Sequence, residues 1–260
     1  DWQPVEQLVF GIQPASYDDG YAYWTDDRPD FFSDARTRTA LLACLDPQSL
    51  AEQVLTDWLP EGSDLTRLQL PALSADPAAL LDEVGWKDLD ADPSTPRSAQ
   101  GVPGVSEGTP LSLRLTTSQR WLHQKAAALI VQKLGACGVR VDWQVLSLAQ
   151  LYQPGPEGVL FGRKFDLALV SWQQVNEPLC ALYRGNAVPS EANFWVGTNL
   201  AGFSDPAFEA ACADIEQGDG LAPAYPAAAL LPHLSLWASR PGLAGQQNLP
   251  WNQLERLNAD

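Results

Sequence analysis

The chain has 260 residues, of which 45% are hydrophobic and 18% are charged, so it can bury a substantial core and does not read as a disordered protein. Its formal net charge of −16 repels phosphate backbones, and no basic stripe offsets it, so we expect no nucleic-acid partner. No stretch approaches the roughly 20 consecutive apolar residues that a membrane span requires.

The start of the chain and its cysteines suggest its cellular context. The sequence begins at Asp1, has no signal-peptide pattern and contains no methionine, so we expect a piece of a longer protein. Its cysteines form no Cys-x-x-Cys pair of the kind found in zinc ribbons and thioredoxin-like sites. Two disulfides in an oxidising compartment are one interpretation, and unpaired core thiols are the other. The four cysteines are Cys44, Cys137, Cys180 and Cys212.

A pair of helices is predicted over residues 31–55. Ser33 is a suitable N-cap for the first helix, with Asp34 in its positively polarised first turn. Asp46 caps the second helix, and Pro47 occupies its first position, where a missing N–H costs nothing. Apolar residues recur at helical spacing in both helices, namely Leu41, Leu42, Leu45, Leu50, Val54 and Leu55.

A third helix follows between two loops. Residues 56–75 contain proline and glycine and are predicted to form a loop. Residues 76–86 repeat the Asp-Pro start and end at Gly85 as a C-cap. Residues 87–110 are rich in Asp, Pro, Gly and Ser and predict a long surface loop.

Three acidic residues in that loop alternate as they do in calcium-binding loops. They are Asp88, Asp90 and Asp92. Pro93 follows where such loops have glycine, and Ala99 stands where they have glutamate, so we favour a solvated acidic loop over a metal site.

From residue 111 onward the pattern alternates between strands and helices. This alternation predicts an α/β fold with a mainly parallel sheet flanked by helices. The near-continuous apolar run at 165–172 predicts a strand buried on both faces. The predicted elements are a strand at 111–117, a helix at 119–138, a strand at 139–146, a short helix at 147–153, a strand at 165–172, a helix at 205–216 and a last apolar segment at 233–238.

Candidate ligand-binding residues follow two of the predicted strands. In open α/β sheets, ligands bind beyond the carboxyl ends of the strands. An indole with neutral amides offers stacking and hydrogen bonding without a nucleophile, although a core-capping Trp172 with solvated amides is the alternative. A second loop, at 193–199, has a similar composition. The candidates are Thr117 after the first strand, Trp172, Gln173, Gln174 and Asn176 after the third strand, and Trp195 and Asn199 in the second loop.

The sequence offers little support for catalysis. His123 lies inside a predicted helix and His233 follows a proline, so we expect both to be structural histidines. No nucleophile elbow, zinc-protease helix or phosphate-binding loop is present. A carboxylate pair for glycoside hydrolysis stays open, because 32 acidic residues supply many pairs. A protein-interaction module that uses exposed tryptophans is a further alternative.

Taken together, these motifs resemble the extracellular solute-binding proteins of family 5, the peptide/nickel-type receptors of ABC importers. The likeness spans about residues 25–216 and continues through ALLDEVGW, PLSLRLTT, LGACGVRVDWQ, FDLALVSW and NLAGFSDPAFEAAC. The family signature begins in the first helix pair, where the residues in register are Phe32, Asp34, Arg36, Arg38, Ala40, Leu41 and Asp46.

The resemblance implies one lobe of a type II periplasmic-binding-protein fold, in which two lobes close on a ligand. It implies a lead-in from the missing N-terminal lobe at 1–24, a C-terminal ligand-binding lobe at 25–222 and a return segment at 223–260. Peptide receptors of the family carry an Asp shortly after the third-strand Trp. Here residues 173–178 contain none, and Glu177 could replace it only with a shift in register.

The same resemblance implies a non-catalytic receptor without a cofactor, one that delivers peptide-like or other small solutes to an ABC permease. The implied partners are the solute, the missing lobe and the permease. A monomer outside the cytoplasm, lipid-anchored at full length, is expected. Four cysteines allow three connectivities, and of these we predict Cys180–Cys212 together with Cys44–Cys137.

Overall fold

The computed structural model describes residues 5–12, 29–56, 76–92, 94–172, 179–213 and 227–232. Within these ranges the helices are α1 (Ala35–Leu45), α2 (Pro47–Leu55), α3 (Pro77–Val84), α4 (Trp121–Ala136), α5 (Leu148–Leu151) and α6 (Pro206–Ala213). The strands are β1 (Val5–Phe10), β2 (Trp86–Lys87), β3 (Ser98–Ala99), β4 (Ser112–Ser118), β5 (Arg140–Leu146), β6 (Leu167–Trp172) and β7 (Ala227–Pro232).

The central sheet has five strands in the order β5-β4-β6-β1-β7. Strand β4 runs parallel to β5 and to β6, whereas β1 runs antiparallel to β6 and to β7. Four strands therefore point in one direction and β1 opposes them. The predicted mainly parallel α/β sheet is confirmed.

β6 lies in the middle of the sheet, as its apolar run predicted. Its residues 167–170 are at most 1% exposed. A strand covered on both faces needs apolar residues at successive positions, which is why this segment lacks alternation.

Two segments from the ends of the chain add strands to this sheet. Val5–Phe10, within the expected lead-in, is an inner strand whose backbone pairs along its length with β6. Ala227–Pro232, within the expected return segment, pairs with the other side of β1. The domain boundaries stay a prediction. Residues 13–28 and 233–260, including His233 and the apolar segment at 233–238, lie outside the described residues.

Helix boundaries follow local capping chemistry. The N-cap of α1 is Asp34, whose carboxylate accepts from the Arg36 backbone N–H at 2.9 Å, and the prediction of Ser33 is wrong. Ser33 is instead bound to the Asp30 carboxylate through its own N–H at 3.2 Å. Asp46 caps α2 as predicted.

Gly85 ends α3, also as predicted, with φ at 115°. A Cβ at this position would lie 2.5 Å from the carbonyl oxygen of Gln100, so only glycine fits. The close approach joins the end of α3 to the segment that follows β3.

The predicted long loop at 87–110 contains the short β2–β3 ladder and is anchored by a buried arginine. Arg97 donates through Nη1 to Asp82 Oδ1 and to the Trp86 carbonyl oxygen, each at 2.9 Å. Its Nε donates to the Cys137 carbonyl oxygen at 2.9 Å. One side chain thus connects α3, the β2–β3 ladder and the end of α4.

Two disulfides join distant segments of the chain. Cys44 of α1 is bonded to Cys137 after α4, and Cys180 is bonded to Cys212 of α6. This is the connectivity that we predicted from the sequence. Among the helices of the described segments, none combines the length and the apolarity needed to cross a bilayer.

Candidate functional site

The site lies where the chain changes direction in the sheet. From β4 the chain passes to β5 on one side, and from β5 it returns across β4 to β6 on the other side. Such a switch point opens a crevice beyond the carboxyl ends of the two strands, where ligands bind in folds of this kind. Because β1 is antiparallel, its amino end reaches the same edge, where Glu6 stands opposite Ser171.

Four residues at this edge form a closed ring of hydrogen bonds, which we call the Glu6 circuit: Glu6, Ser118, Arg120 and His123. Glu6 Oε1 accepts from Arg120 Nη1 at 3.0 Å, and Glu6 Oε2 lies 2.8 Å from His123 Nε2. His123 Nδ1 lies 2.8 Å from Ser118 Oγ. Ser118 Oγ accepts from the backbone N–H of Arg120 at 3.3 Å, which closes the ring.

Ser171 of β6 supports the circuit across the switch point. Its Oγ accepts from Arg120 Nη1 at 2.6 Å and donates to Glu6 Oε2. The segments after β4 and at the end of β6 are therefore held together by side-chain hydrogen bonds as well as by the sheet.

The carboxyl group of Glu6 is ionised in this setting. Burial is the largest influence and raises its pKa, but hydrogen bonds from His123 and Ser171 and Coulombic attraction by His123 and Arg120 outweigh it. The result is a pKa lowered to about 2. A buried carboxylate with several donors is the arrangement in which a charge is tolerated inside a protein.

Arg120 is the member of the circuit that reaches solvent. Its side chain is 36% exposed, whereas those of Glu6 and His123 are 0% and 2% exposed. Tyr152, the C-cap residue of α5, belongs to the same electrostatic environment. Burial raises its pKa, and the backbone of Ser171 and the charge of Arg120 oppose that rise. The edge therefore presents the Arg120 guanidinium, fixed by hydrogen bonds, beside the aromatic ring of Tyr152.

The structure brings only some of the predicted residues to this edge. Thr117, at the end of β4, is buried, and its Oγ1 accepts from Trp143 Nε1 at 2.8 Å, so its hydroxyl is engaged internally. Trp172 ends β6 at the edge, where its backbone pairs with Val5. Gln173, Gln174 and Asn176 lie outside the described residues.

Asn199 is a structural residue, contrary to the prediction that it faces a ligand. It is fully buried, and its Nδ2 donates to the carbonyl oxygens of Tyr183, Arg184 and Phe203 at 3.0, 3.0 and 2.7 Å. Its Oδ1 accepts from the Phe203 N–H at 3.3 Å. Because the side chain is fully buried and its N–H donors are engaged by backbone carbonyl groups, it does not reach a solute.

We expect Asn199→Ala to lower the free energy of unfolding by about 2–3 kcal/mol, because buried carbonyl groups lose their donor. Urea denaturation followed by tryptophan fluorescence measures this loss. Asn193→Ala is the matched control, since Asn193 is half-buried and bonds Val188 and Ser190 within its own turn. Equal losses in the two variants would contradict the structural role of Asn199.

Trp195 is half-buried and packs against another loop. A Cβ at Gly155 would lie 2.4 Å from Trp195 Cε3, so the indole covers this glycine. Its neighbours Phe194 and Val196 are 87% and 75% exposed. The sequence-based prediction did not include these two residues, although an apolar run in a loop can indicate an exposed hydrophobic patch.

Metal binding finds no support in the described ranges, where no group of three His, Cys, Asp or Glu side chains is arranged to hold an ion. In the acidic loop, Asp88 Oδ1 accepts from the Ala91 N–H at 2.8 Å. Asp90 Oδ1 accepts from the Asp92 N–H at 3.0 Å. These carboxylates shape their own turn.

A surface pocket of about 350 Å³ lies at the opposite end of β5, between the end of α4 and residues 94–96. It is lined largely by valine and glycine, and its polar lining residues are Ser94, Thr95 and Arg140. We favour the carboxyl edge as the candidate site, because ligands bind there in open α/β sheets.

Comparisons with known proteins agree with the architecture. No protein-family model matches the sequence, and no curated protein matches it. Solved structures do match. An oligopeptide-binding protein from Thermus thermophilus complexed with a pentapeptide has a TM-score of 0.64 at 16% identity, over 88% of this chain and 42% of that chain.

Two further solved structures are similar to nearly the same extent. NikZ from Campylobacter jejuni in complex with Ni(L-His) has a TM-score of 0.59 at 16% identity, over 87% of this chain and 44% of that chain. A mannohexaose-bound periplasmic oligopeptide-binding protein of an ABC transporter from Thermotoga maritima has a TM-score of 0.57 at 17% identity, over 88% of this chain and 44% of that chain. The chain thus has the fold of these proteins and spans less than half of their length.

Proposed function

We propose that this chain is the ligand-binding lobe of an extracytoplasmic solute receptor, which delivers a small solute to an ABC importer without transforming it. The observation that carries the proposal is the Arg120 guanidinium, held by buried partners at the switch point of a sheet with the periplasmic-binding-protein architecture. Similar folds bind a pentapeptide, mannohexaose and a nickel–histidine complex, and all are small solutes.

The chemistry of the edge favours a solute with an anionic group. Arg120 supplies a fixed positive charge with N–H donors, which suits a carboxylate. The neighbouring Tyr152 supplies an aromatic surface. Within residues 173–178 no aspartate follows Trp172 to pair with a cationic amino group. Peptide-like solutes with a free carboxyl end therefore fit best.

The buried hydroxyl of Ser118 and the ionised carboxyl group of Glu6 also favour a receptor role over catalysis. Ser118, His123 and Glu6 are linked in the order of a hydrolase triad, but Ser118 is fully buried and its Oγ is occupied by the Arg120 N–H. A glycoside hydrolase needs one carboxyl group that keeps its proton near neutral pH. Glu6, with its pKa lowered to about 2, does not.

The proposed partners are the solute, a second lobe that closes over the edge, and a permease; a monomer is proposed, lipid-anchored at full length. The two disulfides favour an oxidising compartment outside the cytoplasm. Without the second lobe, much of the surface that would cover a solute is missing, so the isolated chain is expected to bind weakly.

A panel of solutes tests the receptor role. Tri-alanine, penta-alanine, mannohexaose and nickel–histidine are added at millimolar concentration to the ¹⁵N-labelled chain, and amide shifts are followed. We expect at least one solute to move residues 118–123, 152 and 171 and to be recovered unchanged. The proposal fails if none moves these signals, or if one is chemically converted.

We expect Arg120→Gln to weaken tri-alanine binding by about 10- to 100-fold, because a hydrogen bond to a charged group contributes about 1.5–3 kcal/mol. Binding of tri-alanine amide, which lacks the carboxylate, is expected to change little. Arg140→Gln is the control, since the Arg140 side chain is 66% exposed and lies at the other end of β5. Equal losses for the acid and the amide would contradict an anion contact.

A further inference from the structure

We infer that Glu6, Ser118 and His123 are positioning residues for Arg120, and that Nε2 is the ring nitrogen of His123 that donates to the Glu6 carboxylate. The inference concerns the arrangement of protons within the Glu6 circuit. It rests on the proposed function only where solute affinity is the readout.

The proton assignment follows from which atoms can donate. The ionised Glu6 carboxylate can only accept, so the 2.8 Å contact with His123 Nε2 requires a proton on that nitrogen. Ser118 Oγ already accepts from the Arg120 N–H. Ser118 Oγ also lies 2.8 Å from His123 Nδ1, so one hydroxyl links the Arg120 backbone to the imidazole ring.

The circuit holds Arg120 at two points. Its backbone N–H is bound by Ser118, and its Nη1 is bound by Glu6 at 3.0 Å and by Ser171 at 2.6 Å. A planar guanidinium fixed at one nitrogen has little freedom left for its other donors. The remaining donors are thereby prearranged at the exposed side, and the entropy cost of ordering them on binding falls.

Imidazole NMR of the whole chain tests the proton assignment without any solute. The chain has two histidines, so His233→Gln assigns the His123 signals by elimination. At pH 7, a long-range ¹H–¹⁵N spectrum is expected to show a proton on Nε2 of His123. A His123 ring that carries its proton on Nδ1 alone overturns the inference.

Ser118→Ala tests the positioning. This variant removes one hydroxyl, and the ¹⁵Nε heteronuclear NOE of Arg120 is expected to fall because its backbone anchor is lost. Thr116→Val is the matched control: it removes a buried hydroxyl from the same strand outside the circuit and is expected to leave that NOE unchanged. Equal NOE values in the wild type and in Ser118→Ala would refute the positioning role.

Solute affinity separates this inference from the proposed function. Tri-alanine binding is expected to weaken about five- to tenfold in Ser118→Ala, in line with one lost hydrogen bond, and to stay constant in Thr116→Val. If tri-alanine does not bind the wild type while both NMR results hold, the positioning role stands and the proposed carboxylate ligand is wrong. If the NMR results fail, the positioning role is wrong whatever binds.

Discussion

Reduction of the two disulfides is expected to lower the free energy of unfolding by about 8 kcal/mol. The bonds close separate loops, with sequence separations of 93 for Cys44–Cys137 and 32 for Cys180–Cys212. The loop-entropy relation assigns about 4.5 kcal/mol to the longer loop and about 3.5 kcal/mol to the shorter one. Typical domains have only about 5–15 kcal/mol in total, so the reduced chain is expected to be marginal or unfolded.

Urea denaturation of the oxidised chain and of the reduced, alkylated chain measures this effect. The double variants separate the two bonds: Cys44→Ala with Cys137→Ala is expected to cost more than Cys180→Ala with Cys212→Ala. The opposite ranking would mean that the size of the closed loop does not decide the effect.

Acidification is expected to remove about 3 kcal/mol of stability through Glu6. Its pKa falls from 4.5 to about 2 on folding, and each pKa unit corresponds to about 1.36 kcal/mol. Because the folded-state pKa is the lower one, this contribution is fully present above about pH 4.5 and disappears as the pH falls through about 2.

Denaturation curves between pH 7 and pH 2 test this expectation by comparison with Glu6→Gln. The variant is expected to be less stable at pH 7, and its difference from the wild type is expected to shrink toward pH 2. Asp142→Asn serves as the exposed carboxylate control, because the Asp142 side chain is 63% exposed. A difference that stays constant with pH would contradict an ionised, stabilising Glu6.

The elements that could be predicted from the sequence are those with strong local signals. Asp46 with Pro47, and Asp76 at the start of α3, are N-caps whose chemistry acts within one helical turn. The apolar run of β6 is likewise a local pattern. Strand β1 was missed because six residues carry little periodicity of their own. Its place in the sheet depends on pairing with Trp172 and Pro232, far along the chain.

The location of the candidate site stays a prediction. The strand order forms a switch point beyond β4 and β6, where ligands bind in open α/β sheets. The Glu6 circuit was missed because Glu6 lies more than a hundred residues before His123, and no local pattern connects them. His123 is hydrogen-bonded within the interior, which agrees with its predicted structural role. Asn199 was predicted to bind a ligand because its side chain is polar, but that side chain hydrogen-bonds the backbone of a buried turn.

The inner position of β1 determines when the central sheet can be completed. β1 leaves the ribosome well before its two neighbours, β6 and β7, which come from much later in the chain. Until both are synthesised, Leu8, Val9 and Phe10 have no partner strands, and such a segment invites aggregation. Completion of the sheet is therefore a late folding step, because it needs contacts between segments that lie far apart in the sequence. Until then, the nascent polypeptide must keep β1 from pairing with other chains.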